Sequence, residues 1–197
     1  MRYSQNNEED IILKYFGDFK GHLLDIGAND GVTLSNSRKL METGWTGDFV
    51  EPSDKPFVKL STLYPNCHKV AISTENGLTN LYDSDSHLSS DDSGLLSTIK
   101  QEETKRWKHN NFEEIQIEMV DFKTLLEFTS SKMFDFITID AEGMDYEILS
   151  QINLNEVGCK LICVEHNGKD IEKFKSYCQS FGMKEISRNG ENLIMGL

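Results

Sequence analysis

The sequence predicts an α/β fold: a mostly parallel sheet with helices on both faces and an antiparallel hairpin at its C-terminal end. Three observations predict it. Strand-like apolar runs and helix-period stretches follow one another along the chain, the pattern of parallel βα units. The first apolar run, Leu23 to Ile26, passes through the turn Gly27-Ala28-Asn29-Asp30-Gly31 towards a helix, the opening of a nucleotide-binding unit. Two short strand-like stretches flank Asn189-Gly190, a hairpin turn signal.

The glycine turn selects its ligand by charge. Glycine has no Cβ, so backbone and ligand approach closely and φ > 0 is accessible; the turn also presents N–H groups and a positive helix end. The dinucleotide fingerprint G-x-G-x-x-G is absent, because Asn29 stands at its middle glycine. Asp25 adds a carboxylate that would repel a diphosphate. The pattern suits a nucleoside that carries a cation, and S-adenosylmethionine is such a ligand: an adenosine, a sulfonium and an amino acid. Glu51, followed by Pro52, ends the next apolar run, GDFVEP, about 20 residues after the turn, where nucleotide folds place the acid that accepts from ribose hydroxyls. A plain αβ turn and a solvated acid are the alternatives.

The elements follow in order. A first helix is predicted over 4–16, with Ile11, Ile12, Tyr15 and Phe16 at helical spacing. The next helix spans 35–42 and stops at Gly44; the second strand spans 48–51. Pro56 suits a first helical turn, and Phe57, Leu60 and Tyr64 mark that helix's buried face, up to Pro65-Asn66. Residues 68–72 form a third strand, and the alternating GLTNLYD at 77–83 pairs back on it. The stretch 84–111 is too long for an ordinary connection; it is a lid that shapes a substrate pocket, with His87, Ser97 and Trp107 facing in, or a surface insertion. Residues 115–120 return to strand. Asp121 caps a helix to Phe128 or approaches the adenine end of the cofactor. Strand 134–139 ends in Asp140-Ala141-Glu142-Gly143, at the strand end where open α/β sheets place ligands. A helix from 144 to 149, strand 160–165 with His166 and Asn167 behind it, and a helix carrying Ile171, Phe174, Cys178 and Phe181 precede the hairpin.

Composition narrows the function. A net charge of −13 over 197 residues argues against nucleic acid and against an anionic membrane surface. No apolar run reaches the length of a membrane span, and the polar, acidic N-terminus is unlike a signal peptide. The four cysteines, Cys67, Cys159, Cys163 and Cys178, form no C-x-x-C pair. They are predicted to be reduced and structural, in a cytoplasmic single-domain protein.

SQNNEED, DIGANDGVTLSNSRKLMETGWTGDFVEP, FDFITIDAEGMDYEIL and LICVEHN occur in that order. In these four segments the chain resembles the FkbM-type methyltransferases, a family of S-adenosylmethionine-dependent class I methyltransferases. The resemblance implies a Rossmann-like, mostly parallel seven-stranded sheet with the terminal hairpin. It implies a cofactor set of Asp25, Gly27, Ala28, Asn29, Gly31, Ser35, Glu51, Pro52, Ala71, Ile72 and Asp140, with Ser4, Gln5 and Asp10 near the cleft. The expected reaction is O-methylation of a hydroxyl on a sugar, glycan or secondary metabolite. An alcohol needs a base as it attacks: His166, with its near-neutral pKa, or Asp140, with Glu142 beside it. Glu142 and His166 also join His87, Ser97 and Trp107 as expected acceptor contacts. Asp140, Glu142, Glu165 and His166 are an alternative Mg2+ set. A nitrogen acceptor, a non-catalytic S-adenosylmethionine-binding module and an NAD oxidoreductase are the competing readings, the last disfavoured by Asn29.

Overall fold

A computed structural model describes residues 2–89 and 92–197; Ser90 and Asp91, inside the predicted lid, lie outside the described residues. The chain runs α1 (Glu8–Phe16), β1 (His22–Ile26), α2 (Arg38–Glu42), β2 (Thr46–Val50), α3 (Asp54–Leu63), β3 (Cys67–His68), β4 (Ala71–Ile72) and β5 (Gly77–Ser84). It continues through a 3₁₀ turn (Glu103–Arg106), β6 (Phe112–Val120), α4 (Phe122–Phe128), β7 (Phe136–Ile139), α5 (Asp145–Leu149), β8 (Leu161–Glu165), α6 (Ile171–Gln179), β9 (Lys184–Arg188) and β10 (Asn192–Gly196).

Seven strands form the main sheet in the order β3-β2-β1-β7-β8-β10-β9. The pairs from β3 to β8 are parallel, and β10 runs antiparallel to both β8 and β9. This is the predicted mostly parallel, Rossmann-like α/β fold with its closing hairpin. Strand alternation splits the core between the two faces. Leu24, Ile26, Ile137, Ile139, Ile162 and Val164 pack under α4, α5 and α6. Leu23, Phe136, Leu161 and Cys163 pack under α1, α2 and α3, through Ile12, Phe16, Leu40 and Leu60. Strand order reverses direction between β1 and β7, so a crevice opens at their carboxyl ends.

Four predicted elements differ. The strand expected over 68–72 is two strands: β3 extends the main sheet, whereas β4 leaves it and pairs with β6. The GLTNLYD strand pairs not with its predecessor but antiparallel with β6, from Gly77 opposite Met119 to Ser84 opposite Phe112. The result is a separate sheet, β4-β6-β5. The first two helices start late: Asn7 sits at φ 72°, a left-handed conformation that a helix cannot include, and the second begins only at Arg38, whose N–H donates to the Ser35 hydroxyl at 3.0 Å. Among the described residues, no helix is long and apolar enough to cross a membrane.

Candidate functional site

The site is built from strand ends. β1 delivers Asp25 and then turns at Gly27, whose φ is +84° and where a Cβ would overlap the Asp140 carbonyl oxygen. Glycine is therefore required on both counts. The N–H groups of Gly27 and Ala28 both donate to the Val50 carbonyl at 3.0 Å, and the Asp140 N–H donates to the Ile26 carbonyl at 2.9 Å. These bonds draw the ends of β1, β2 and β7 together. Glu51, just past β2, accepts from the Asn29 N–H at 2.9 Å and the Ser53 N–H at 2.8 Å. Asn29 itself is held at φ 47°. Its side chain is 7% exposed and neither amide atom has a partner, although the residue lines the cavity.

One cavity of about 320 Å³ occupies this crevice. Asp25, Gly27, Ala28, Asn29, Ser35, Glu51 and Pro52 line one end, with Ala71 and Ile72 brought in by β4. Asp140, Glu142 and Glu165 line the other, under a cover that includes His87, Ser97, Arg106 and Trp107. Asp25 and Glu51 thus share one cleft. Ser97 is committed within its own segment, since its hydroxyl donates to Asp83 at 2.8 Å and accepts from the Ser84 N–H at 2.9 Å. Trp107 packs edge-on to His87 at 5.1 Å, and the Arg106 guanidinium lies 5.4 Å from its ring.

Several residues expected at the site fall outside this cavity. Gly31, at φ +75°, leaves space for Leu60 and Tyr64, which a Cβ there would strike; it packs the turn against α3. His166 is 4% exposed and lines a neighbouring cavity of about 190 Å³ with Lys169, Asp170 and Phe174. Its Nδ1 accepts from the Gly168 N–H at 2.8 Å. Asp121 caps α4, accepting from the Thr124 N–H at 2.7 Å, and does not line the cavity. Of the N-terminal residues, Gln5 lines the cavity and Ser4 bridges to Leu34, while Asp10 pairs with Arg2 at the surface.

Crowded carboxylates set the electrostatics. Burial pushes the Asp25 carboxyl up to about 6 against a 2.5 Å bond from the Ser37 hydroxyl. Burial likewise raises Glu51 to about 7, opposed by its two backbone N–H donors. Glu142 rises to about 8 through burial and then the nearby Asp145 charge. Asp140 is open to solvent inside the cavity yet ringed by its walls, and desolvation followed by Glu142, Asp145 and Asp25 raises it well above the usual range. Glu165 rises in the same way, through burial and then Asp140 and Glu142. Burial lowers His166.

The structure also changes the proposed metal set. The carboxylates that converge are Asp140, Asp145 and Glu165, and neither Glu142 nor His166 is among them. Asp145 was missed because its place after Glu142-Gly143-Met144 is equally that of a helix start. Arg106 was passed over beside Trp107, and Glu191, at the hairpin turn, reaches the cavity only through the fold.

No curated protein matches the chain. A family model, described as the methyltransferase FkbM domain, matches residues 25–185, which takes in every strand from β2 to β8 and the cavity carboxylates Asp25, Glu51, Asp140, Glu142 and Glu165. The chain therefore belongs to the FkbM methyltransferase family, whose usual methyl donor is S-adenosylmethionine.

Proposed function

We propose that the protein transfers a methyl group from S-adenosylmethionine to a hydroxyl of a sugar, glycan or secondary metabolite. One observation supports the reading: a single cavity is lined by the Gly27 turn and Glu51 at one end and by carboxylates, one oxygen of them unpartnered, at the other. The residues present fit the donor. Gly27 keeps the floor of the turn open, Glu51 offers its remaining lone pairs to ribose hydroxyls, and the unpartnered Asn29 amide awaits a polar group. Asp25 is a carboxylate suited to an ammonium. When bound, the donor supplies a methyl on a sulfonium that departs as a neutral thioether, so no acid is needed at the leaving group.

The protein's task is alignment and proton removal. Asp140 and Glu142 are the carboxylates at the acceptor end; Glu142 Oε2 is buried without a partner, and with its carboxyl raised to about 8 it takes the hydroxyl proton in the ionised form that grows as pH rises. His166 faces the adjoining cavity, which supports a carboxylate rather than the imidazole as base. Segment 84–111 acts as the cover, with Trp107 and His87 as the surface for the acceptor's apolar face and Arg106 beside them. Magnesium is the ion that the oxygen-rich end would take, lowering the pKa of a hydroxyl held there. The four free thiols support a reducing, cytoplasmic setting.

The abundance of carboxylates also favours a second reading, an amine acceptor. A nitrogen nucleophile needs no strong base, so the two separate by experiment. Calorimetry with S-adenosylmethionine, S-adenosylhomocysteine and NAD comes first, and binding of NAD alone would end the proposal. Labelled donor with a panel of sugar nucleotides, glycans, amines and small metabolites then identifies the acceptor. With an alcohol acceptor, Glu142→Gln lowers kcat by about 10²-fold or more, and unchanged kcat would remove Glu142 as the base; with an amine acceptor the same variant leaves most turnover intact. Donor binding with no acceptor for the label would favour a non-catalytic module.

A further inference from the structure

At the carboxyl ends of β7 and β8, Asp140, Asp145 and Glu165 each bring one carboxylate oxygen within 4.8 Å of the other two. That span matches oxygens on opposite sides of one hard cation, each roughly 2.0–2.6 Å from it. Two of the three are fixed by bonds of their own. Asp145 accepts from the Ala141 and Gly143 N–H groups at 2.8 and 3.0 Å, and the Asn167 amide donates to Glu165 at 2.5 Å. The cations nearby are engaged elsewhere: Lys100 with Glu147, and both Arg106 and Lys169 with Glu103. A second observation is independent of the trio. Glu142 is 9% exposed and lines the cavity beside Asp140 and Glu165. Its Oε2 has no partner, as expected of a group that meets an arriving donor such as a metal-bound water.

We propose that Asp140, Asp145 and Glu165 form a binding site for one divalent cation of the magnesium or manganese class. All-oxygen, carboxylate ligands select hard ions over zinc or copper. Three carboxylates leave several positions to water, as magnesium requires. His166 is not among the converging side chains; its Nδ1 accepts from Gly168 and its Nε2 is buried without a partner. The ion's task at the acceptor hydroxyl rests on the methyl-transfer reading, but its binding does not.

The test uses the full chain, stripped with chelator and titrated with Mn2+ while free Mn2+ is followed by electron paramagnetic resonance, with neither donor nor acceptor present. The expected result is one saturable ion per chain that Mg2+ displaces, weakened at least tenfold in Asp140→Asn and in Glu165→Gln. Asp145→Asn is avoided because Asp145 also holds the 141–143 turn, and circular dichroism melts verify that the other two variants fold. Absence of saturable binding at millimolar Mn2+ would overturn the proposal, as would equal binding by wild type and both variants. Mn2+ binding without methyl transfer to any acceptor would count against the proposed function alone.

Discussion

At the scale of single residues, the cofactor end depends on where a strand stops. Gly27, Asn29 and Glu51 are legible in the sequence because each lies at or just past an apolar run, and strand ends are where such folds place ligands. Glu165 and His166 show the limit. They are neighbours on extended chain, so their side chains diverge, and sequence does not say which faces the cavity. The structure places Glu165 on the wall between the two cavities, lining both, and gives His166 to the adjoining one alone. Glu51 makes the residue-scale prediction. Glu51→Gln keeps an oxygen for one of the two backbone N–H donors but removes the charge offered to ribose. Affinity for S-adenosylhomocysteine should fall by about 10- to 100-fold, the size of a charged hydrogen bond or two, as read by calorimetry. Unchanged affinity would remove Glu51 from the cofactor site.

At the scale of elements, β1, β2, β7, β8 and β10 were readable because each carries its own apolar run, whereas β3 is only Cys67–His68 and β9, KEISR, is mostly exposed and was legible through the hairpin turn beside it. The second sheet was not. Its β6 alternates half-exposed positions over Phe112–Val120, and the partner of such a strand is set by tertiary register rather than by nearness in sequence. Segment 84–111 was recognisable only as too long. The structure shows how it is fastened: the Thr98 hydroxyl donates to the Glu142 carbonyl at 2.8 Å and Lys100 to the Gly143 carbonyl at 2.7 Å. Glu103, only 8% exposed, ties Arg106 and Lys169 together and fills the space above Gly143. Glu103→Ala should therefore free Arg106 and loosen the cover. The stability cost is small, about 1 kcal/mol, since Lys169 is more than half exposed and such pairs are screened. The acceptor KM should rise several-fold while donor affinity stays constant. Steady-state kinetics check this, and an unchanged KM would mean that the segment plays no part in holding the acceptor.

At the scale of the whole molecule, the acid-rich cavity sets how stability follows pH. Asp25, at about 6, and Glu51, at about 7, both lie above their ordinary carboxylate values because the fold buries them. The folded chain therefore holds more protons than the unfolded chain between about pH 4 and 7. Their contribution is full below the unfolded pKa and is lost as pH rises through the folded one. Repulsion within a chain of net charge −13 grows in the same direction. Asp48 has the opposite sign. Its carboxylate is fully buried and, against that burial, is held low by His68, by the Ser130 N–H and hydroxyl, and by His22. Its contribution is present above about pH 4 and disappears as pH falls further. Ligand-free protein should then be most stable near pH 5 and lose a few kcal/mol by pH 8, at about 1.4 kcal/mol per pKa unit. Urea midpoints at pH 5, 6, 7 and 8, taken in chelator, measure the limb, and Glu51→Gln should flatten it because the amide has no proton to lose. Donor bound at Glu51 should flatten it too, by giving the ionised carboxylate its partner. A midpoint that climbs from pH 5 to 8 in the ligand-free chain would mean that these acids are not confined as the cavity walls require.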